Sequence, residues 1–178
     1  MPEMIGLTGK SGVGKTRVCQ QIVQAANSNG FSISGFFCPA VFEDGIKTGI
    51  NVSLLPGEET YPFATLENQA GWLQIGRWWM DPGVFDLVNE HLKSFIGSTL
   101  LVIDEIGPAE IEENKGWPAT LDLLHRGCFK FGVVSFRPAY IDFFQKAYPG
   151  IKIINLDAGG KLEVENWIKC FCKPDFSL

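Results

Sequence analysis

Short apolar runs separated by segments of helical periodicity dominate the chain. The runs at 99–103, 131–136 and 151–156 are short and rich in apolar residues, which is typical of strands buried on both faces. A fourth run, Met4–Leu7, precedes a segment from Lys15 to Ser28 in which apolar residues recur at helical spacing. Strands that alternate with helices in this way predict an α/β fold with a mainly parallel central sheet.

Four further helices are expected along the chain. Asp81 followed by Pro82 is typical of a helix N-terminus, because Asp caps free backbone N–H groups and Pro fits the first turn. This helix is expected to end at Gly97. The others are expected from Pro118 to Cys128, after Pro138, and from about Lys161 to Cys172.

An antiparallel hairpin is predicted between the helix at Lys15–Ser28 and the helix that follows Asp81. Residues 31–37 and 50–54 alternate apolar with polar or small side chains, and Asp44-Gly45 between them is a strong turn signal. Residues 56–80 show no clear period, so loops and short pieces are expected there. The length of 178 residues predicts a single domain, 1–178, with the hairpin as an insertion.

The charge of the chain narrows the class of partner. It has 15 Lys and Arg against 20 Asp and Glu, a net charge of −5. No nucleic-acid partner is expected, because binding to a phosphate backbone requires a basic surface. No apolar run approaches the length of about 18 residues that a membrane span needs, so no membrane association is expected either.

The cysteines indicate a reducing compartment. The chain has five cysteines, an odd number, and only two histidines. Reduced thiols are therefore expected and a zinc site is not. Together with the lack of a targeting segment, this pattern predicts a cytoplasmic protein.

The segment after the first strand matches the phosphate-loop pattern G-x-x-x-x-G-K-[ST] at every fixed position. Backbone N–H groups of such a loop bind the β-phosphate, and the following helix N-terminus adds partial positive charge. Lys15 is expected to act catalytically on the β- and γ-phosphates, and the Thr16 hydroxyl to bind Mg²⁺. The predicted nucleotide-binding residues of the loop are Gly9, Lys10, Ser11, Gly12, Val13, Gly14, Lys15 and Thr16.

Two adjacent carboxylates follow the buried strand at 99–103. Asp104 is expected to hold Mg²⁺ through its water shell, because an acid at the end of a buried strand complements a phosphate loop. Glu105, one residue further, is expected to be the catalytic group that polarises the attacking water. Both acids, together with Gly107, are predicted to lie in the nucleotide site.

The segment Asp104–Gly107 also matches the D-x-x-G pattern of small GTPases. Those proteins read guanine with an N-K-x-D segment, whereas Asn114-Lys115 in this chain is followed by Gly116-Trp117. No carboxylate is therefore placed to read guanine. The acid pair favours an ATPase-type site assisted by Glu105, with low base specificity.

Two of the four arginines are candidates for contact with phosphate. A cation near the transferred phosphoryl group would stabilise the transition state. Arg137 follows the strand at 131–136, which places it at the carboxyl edge of the sheet as a candidate catalytic cation. Arg77 lies on a predicted loop. For both arginines the alternative to a phosphate contact is a structural or surface role. The adjacent Trp78-Trp79 pair could pack in the core, stack on a base or form a partner surface.

These segments resemble the THEP1 nucleoside-triphosphatases, a family of small P-loop proteins. The resemblance rests on GKSGVGKT, ISGFFCPAVFEDGIKTG (33–49), LLVIDEIG and the aromatic segment 75–81, and it spans Met4 to Trp167. It implies a three-layer, RecA-like P-loop NTPase fold. It also implies slow hydrolysis of NTPs, ATP and GTP among them, to NDP and phosphate with little base preference.

The chain departs from that family directly after the DEIG segment. The family usually continues with lysine, methionine and glutamate, where this chain has Pro108-Ala109-Glu110. Glu110 matches the final acid, whereas the basic residue is missing.

Two other functions stay open at the level of sequence. A nucleotide or small-molecule kinase uses the same loop but clamps a second substrate, usually with several arginines. A nucleotide-dependent regulatory module binds NTP with little turnover and acts on a protein partner. Four scattered arginines and no evident basic lid favour the hydrolase.

Overall fold

The computed structural model describes residues 2–57, 59–113 and 115–172, and the described strands form one sheet. The strands are β1 (Glu3–Thr8), β2 (Ile33–Phe37), β3 (Ala40–Glu43), β4 (Ile46–Leu55), β5 (Thr60–Thr65), β6 (Leu73–Ile75), β7 (Trp78–Met80), β8 (Ser98–Ile106), β9 (Phe129–Phe136) and β10 (Lys152–Asn155). The α-helices are α1 (Lys15–Ser28), α2 (Pro82–Lys93), α3 (Pro108–Ile111), α4 (Ala119–Arg126), α5 (Ile141–Ala147) and α6 (Lys161–Ile168).

The central part of the sheet is parallel. Its strands follow the order β10-β1-β9-β8-β2, so β9 separates the strand before the phosphate loop from the strand that carries the two carboxylates. An antiparallel extension continues the sheet through β4, β5, β7 and β6, and β3 pairs with β4. The predicted α/β class is confirmed, and the antiparallel part is larger than the one hairpin that the alternation suggested.

Helices cover the parallel strands on both faces. Leu100 and Val102 of β8 pack in one apolar cluster with residues of α1 and α6. Leu101 and Ile103, which alternate with them, pack in a second cluster with residues of α2, α4 and α5. Because successive side chains of a strand point to opposite faces, the two clusters lie on opposite sides of the sheet. The protein therefore has three layers, as expected.

The helix starts were predicted better than the helix ends. The first helix spans Lys15–Ser28 as predicted, and the Asp81 carboxylate caps α2 by accepting from the N–H of Gly83 at 2.8 Å. The end of α2 at Gly97 was wrong. The helix ends at Lys93, where the next residue, Ser94, donates its hydroxyl to the carbonyl of His91 at 2.7 Å.

Two other helix ends were also predicted too late. Gly127 adopts a left-handed φ of 62° and stops α4 at Arg126, which leaves Cys128 outside the helix. The last α-helix ends at Ile168, and a 3-10 turn continues to Cys172.

The region 56–80 was expected to be loops and short pieces, yet it contributes three strands to the sheet. The strand β5 pairs with β4, and β7 pairs with both β5 and β6. The turn signal at Asp44-Gly45 was correct, since both residues have positive φ and join β3 to β4. Residues 56–80 have no hydrophobic periodicity, and they form strands because β5 pairs with β4 and β7 pairs with β5.

No helix in the described ranges is long and apolar enough to cross a bilayer.

Candidate active site

The phosphate loop and the two carboxylates lie at one edge of the sheet. The strands β1 and β8 are parallel to the strand between them, so their carboxyl ends meet at the same edge. The Thr16 hydroxyl donates a hydrogen bond to Asp104 Oδ2 at 2.7 Å, across 88 residues of sequence. The loop and the acid strand thus form one site.

Glycine makes the loop conformation possible. Gly12 and Gly14 have φ values of 84° and 102°, which side-chain-bearing residues rarely adopt. From the start of α1, the buried Lys15 reaches back and donates its ammonium to the carbonyl oxygens of Gly9 at 3.0 Å and Lys10 at 3.3 Å. The ammonium therefore lies across the loop that is predicted to hold phosphate.

Asp157 holds the loop from the other side. The backbone N–H of Lys10 donates to Asp157 Oδ2 at 2.8 Å, and the N–H of Asp157 donates to the Asn155 side chain at 3.0 Å. Both residues follow or end β10, which is a neighbour of β1 in the sheet. Sequence reasoning missed Asp157, because an isolated acid after a short strand carries no motif.

Asp104 is fully buried and its carboxylate has three donors. They are the Thr16 hydroxyl, the Ser135 hydroxyl, and the backbone N–H of Cys38 at 3.0 Å. Burial raises the pKa of Asp104, while these hydrogen bonds to the ionised form act to lower it. The carboxylate is therefore fixed in orientation by groups from α1, β9 and the segment after β2.

Glu105 points away from the buried position of its neighbour. Its φ of 66° lies in the left-handed region, and the register of β8 against β9 shifts between Ile103 and Ile106. The N–H of Glu105 donates to Ser135 Oγ at 2.8 Å, and its half-exposed carboxylate has Arg137 Nε 3.9 Å from Oε1. The bulge gives two consecutive acids two environments, which suits a buried ligand beside an accessible base.

Gly107 belongs to a buried brace. Its N–H donates to Glu110 Oε2 at 3.0 Å, and the N–H of Trp117 donates to Oε1 of the same carboxylate at 3.0 Å. Burial raises the pKa of Glu110, and the two backbone donors oppose this. Glu110, the last acid of the family segment, thus connects the two ends of the chain segment between β8 and α4. Asn114 of that segment lies outside the described residues.

The oxygen donors present fit Mg²⁺. Mg²⁺ prefers hard oxygen ligands and usually takes one or two from the protein, with phosphate oxygens and water as the others. Thr16 and Asp104 offer a hydroxyl and a carboxylate within 2.7 Å of each other. In the part of the chain that the structure describes, no group of three His, Cys, Asp or Glu side chains is arranged to hold a metal ion.

The structure brings the loop residues, both acids and Arg137 together at the carboxyl edge of the parallel strands, and it places Arg77 on the antiparallel extension. The Arg77 guanidinium carbon lies 4.8 Å from the centre of the Trp78 ring, on the antiparallel extension. Sequence reasoning missed Ser135, although a lone polar residue in the otherwise apolar strand FGVVSF was a usable signal. The ammonium of Lys47 lies 5.3 Å from the centre of the same Trp78 ring.

A phosphate loop and a buried acid at the carboxyl edge of a parallel sheet define the class of P-loop nucleoside-triphosphatases. The chain belongs to the NTPase family, whose family model matches residues 4–166.

The curated relatives carry the name that the resemblance suggested. The chain is similar to the nucleoside-triphosphatase THEP1 of Sulfurisphaera tokodaii, with 33% identity over 61% of this chain and 63% of that protein. A second THEP1, from Methanopyrus kandleri, is 29% identical over 64% of this chain and 63% of its own length. The match thus spans a little less than two thirds of these relatives.

Two solved structures share the fold. A human cancer-related nucleoside triphosphatase has a TM-score of 0.69 at 21% identity, over 94% of this chain and 96% of that one. THEP1 from Aquifex aeolicus has a TM-score of 0.67 at 19% identity, over 96% of this chain and 99% of that one. The THEP1 resemblance and the expected fold class are confirmed.

Proposed function

We propose that the protein hydrolyses nucleoside triphosphates to the diphosphate and phosphate, with Mg²⁺ and with little preference for the base. The observation that carries this proposal is the 2.7 Å hydrogen bond between Thr16 and Asp104, which joins a phosphate loop to a buried acid. The names of the relatives support the same activity.

Each residue of the site has a distinct part in this reaction. Lys15 would exchange its two carbonyl partners for oxygens of the β- and γ-phosphates. Thr16 and Asp104 would hold Mg²⁺, which neutralises charge on the phosphates when it is bound. Glu105 would accept a proton from the attacking water. The oxygen of that water would bond to the γ-phosphorus while the bond between the γ-phosphorus and the β-phosphate oxygen breaks. Arg137 would face the charge that develops there.

The remaining loop residues would bind the phosphates through the backbone. This applies to Gly9, Lys10, Ser11, Gly12, Val13 and Gly14, which precede the N-terminus of α1. Gly107 is a weaker candidate for phosphate contact than expected, because its N–H already donates to Glu110.

We also propose one domain over 1–178, a cytoplasmic location, and an NTP rather than a nucleic acid as the ligand. All of the described strands, from Glu3 to Asn155, lie in one sheet, which supports the first part. Free thiols at Cys19, Cys38, Cys128 and Cys170 support the second. The net charge of −5 supports the third.

Steady-state hydrolysis of ATP, GTP, CTP and UTP tests the proposal. Each NTP should release one phosphate per NDP in the presence of Mg²⁺, and EDTA should abolish the release. The four NTPs should bind within about tenfold of one another, which is about 1.4 kcal/mol, because no base-reading motif is present. A thousandfold preference for one base would contradict the low specificity, and tight binding without turnover would favour a regulatory module.

A further inference from the structure

The antiparallel extension continues past the end of β2 at the carboxyl edge of the parallel strands. Strand β4 pairs with β2 only through residues 53–55, and β2 ends at Phe37 opposite Ser53. Because the two strands are antiparallel, residues 46–50 continue past Phe37 in the direction in which β2 ends. The phosphate loop and Glu105 lie at this same edge of the sheet.

Two cations meet at one tryptophan on this extension. The ammonium of Lys47, near the start of β4, lies 5.3 Å from the centre of the Trp78 ring, and Arg77 lies 4.8 Å from it. Strand β5 pairs with both β4 and β7 and holds their ends side by side. Stacking on an aromatic face restrains both long side chains without neutralising either charge.

Lys47 interacts electrostatically with Arg77 and with Glu105, the candidate base. Burial lowers the pKa of the half-buried Lys47, the Glu105 carboxylate opposes this, and the guanidinium groups of Arg77 and Arg137 lower it further. Neither Lys47 nor Arg77 forms an ion pair with any of the described residues. Lys47 therefore interacts electrostatically with Glu105 and with two other cations, and of these Arg137 has its Nε 3.9 Å from Glu105 Oε1, in a chain whose net charge is −5.

A local excess of positive charge of this kind favours binding of an anion. Like charges held together are unfavourable until an anion neutralises them, and the field between them concentrates anions from solution. Glu105 is the proposed catalytic base, so the terminal phosphate of an NTP is the anion that the proposed reaction would bring closest to Glu105 and to the cations that interact with it.

We propose that Lys47 and Arg77, held by Trp78, bind a phosphoryl oxyanion opposite the phosphate loop. This assignment rests on the proposed function, since it takes the γ-phosphate of the bound NTP as the first source of that oxyanion. A free phosphate, such as the product of hydrolysis, has the same chemistry and is the second source. The extension would then be the basic element that was not evident in the sequence.

Equilibrium binding tests the assignment without relying on turnover. The affinities of a non-hydrolysable NTP, of NDP and of inorganic phosphate are measured for the wild type, Lys47→Met and Arg77→Met. Methionine keeps the apolar stem of each side chain and removes its charge. Lys93→Met and Arg126→Met, at exposed positions on α2 and α4, are the matched controls, and thermal melting establishes that every variant is folded.

If the γ-phosphate is the source, Lys47→Met and Arg77→Met should each weaken binding of the NTP analogue about tenfold or more. They should change NDP binding by less than about threefold, and Lys47→Arg should restore the wild-type affinity. If free phosphate is the source, the variants should lose binding of inorganic phosphate to the NDP complex while NTP binding is kept.

Equal binding of all three ligands by the wild type and the Met variants would overturn the assignment. Lys15→Ala separates this failure from failure of the proposed function. If Lys15→Ala binds the NTP analogue as tightly as the wild type, the phosphate loop itself is not the nucleotide site. If only Lys15→Ala is impaired, the loop binds NTP and the Lys47 cluster does not.

Discussion

The backbone N–H of Glu105 donates to the hydroxyl of Ser135 at 2.8 Å. The same hydroxyl donates to the carboxylate of Asp104, so one serine on β9 sets the positions of both acids on β8. It connects the backbone of the candidate base to the side chain of the candidate metal ligand. Ser135 is therefore a positioning residue, although it would not touch substrate.

Ser135→Ala should lower the rate of hydrolysis by roughly 10–100-fold, because a small displacement of Asp104 and Glu105 disturbs the alignment of the reacting groups. The change should also lower the free energy of unfolding by about 1–3 kcal/mol, since it leaves a buried group without a partner. Ser53→Ala is the matched control. Ser53 is also buried and hydrogen-bonds to Thr60 Oγ1 at 2.9 Å, on the antiparallel extension. An equal loss of rate in both variants would assign the effect to stability rather than to position.

Lys15→Ala should abolish hydrolysis and weaken the affinity for NTP. The ammonium is the buried cation of the loop, and its two partners are carbonyl oxygens that carry no charge to hold it there. Isothermal titration with an NTP analogue measures the loss. Unchanged affinity and unchanged turnover would rule out the loop as the phosphate site.

Glu105→Gln should keep binding of the Mg²⁺–NTP complex while hydrolysis falls by about 10²–10⁴-fold, the usual contribution of a general base. Glutamine keeps the side-chain shape and leaves the backbone at its positive φ, so it removes the base with little other change. Glu90→Gln, at an exposed position on α2, controls for the substitution itself. Equal hydrolysis by the wild type and Glu105→Gln would mean that another residue positions the attacking water. The interpretation of Asp104–Gly107 as a D-x-x-G segment would then be favoured.

Asp104→Asn should instead weaken the dependence of NTP binding on Mg²⁺. Its carboxylate accepts from three donors, and an amide has only one oxygen to offer them and no charge for the metal ion. Titration of NTP at several Mg²⁺ concentrations measures the coupling between the two ligands. The same coupling in the wild type and in Asp104→Asn would exclude Asp104 as the metal ligand.

The brace formed by Glu110 should make a pH-dependent contribution to the free energy of unfolding. Burial raises the pKa of Glu110 in the folded state, so the folded protein binds its proton more tightly than the unfolded chain does. The contribution of this group is therefore fully present below the pKa of the unfolded carboxyl and decreases as the pH rises through the folded pKa. Glu110→Gln does not titrate and serves as the reference.

The difference in free energy of unfolding between the wild type and Glu110→Gln should therefore decrease as the pH is raised from 4 to 7. Urea denaturation at several pH values measures this difference. An increase with pH would mean that the two N–H donors, from Gly107 and Trp117, outweigh the burial of the charge.

The sequence predicted the parallel core and the loop well because both depend on local signals. The apolar runs before Gly9 and Asp104 mark buried strands, and the glycine pattern of the loop has few other uses. The predicted phosphate and metal residues lie together for the same reason, since carboxyl ends of parallel strands share one edge. Their chemical roles are still proposals.

The antiparallel extension could not be predicted in the same way. Lys47 and Arg77 are 30 positions apart in sequence and carry no motif, and they meet only because β5 pairs with both β4 and β7. Glu105 gave no sign of its positive φ either, because a bulge arises from the register of β8 against β9. Long-range pairing decides both features.

The strand order has a consequence for synthesis of the protein on the ribosome. Both hydrogen-bonded neighbours of β1 come late in the chain, since β9 begins at Phe129 and β10 at Lys152. At about 5–20 residues per second, the ribosome needs roughly 6–24 s to proceed from Thr8 to Phe129. Throughout that time the apolar strand Met4–Leu7 lacks both of its neighbours in the sheet. The strand that precedes the phosphate loop therefore takes its place in the sheet only after most of the protein has been translated.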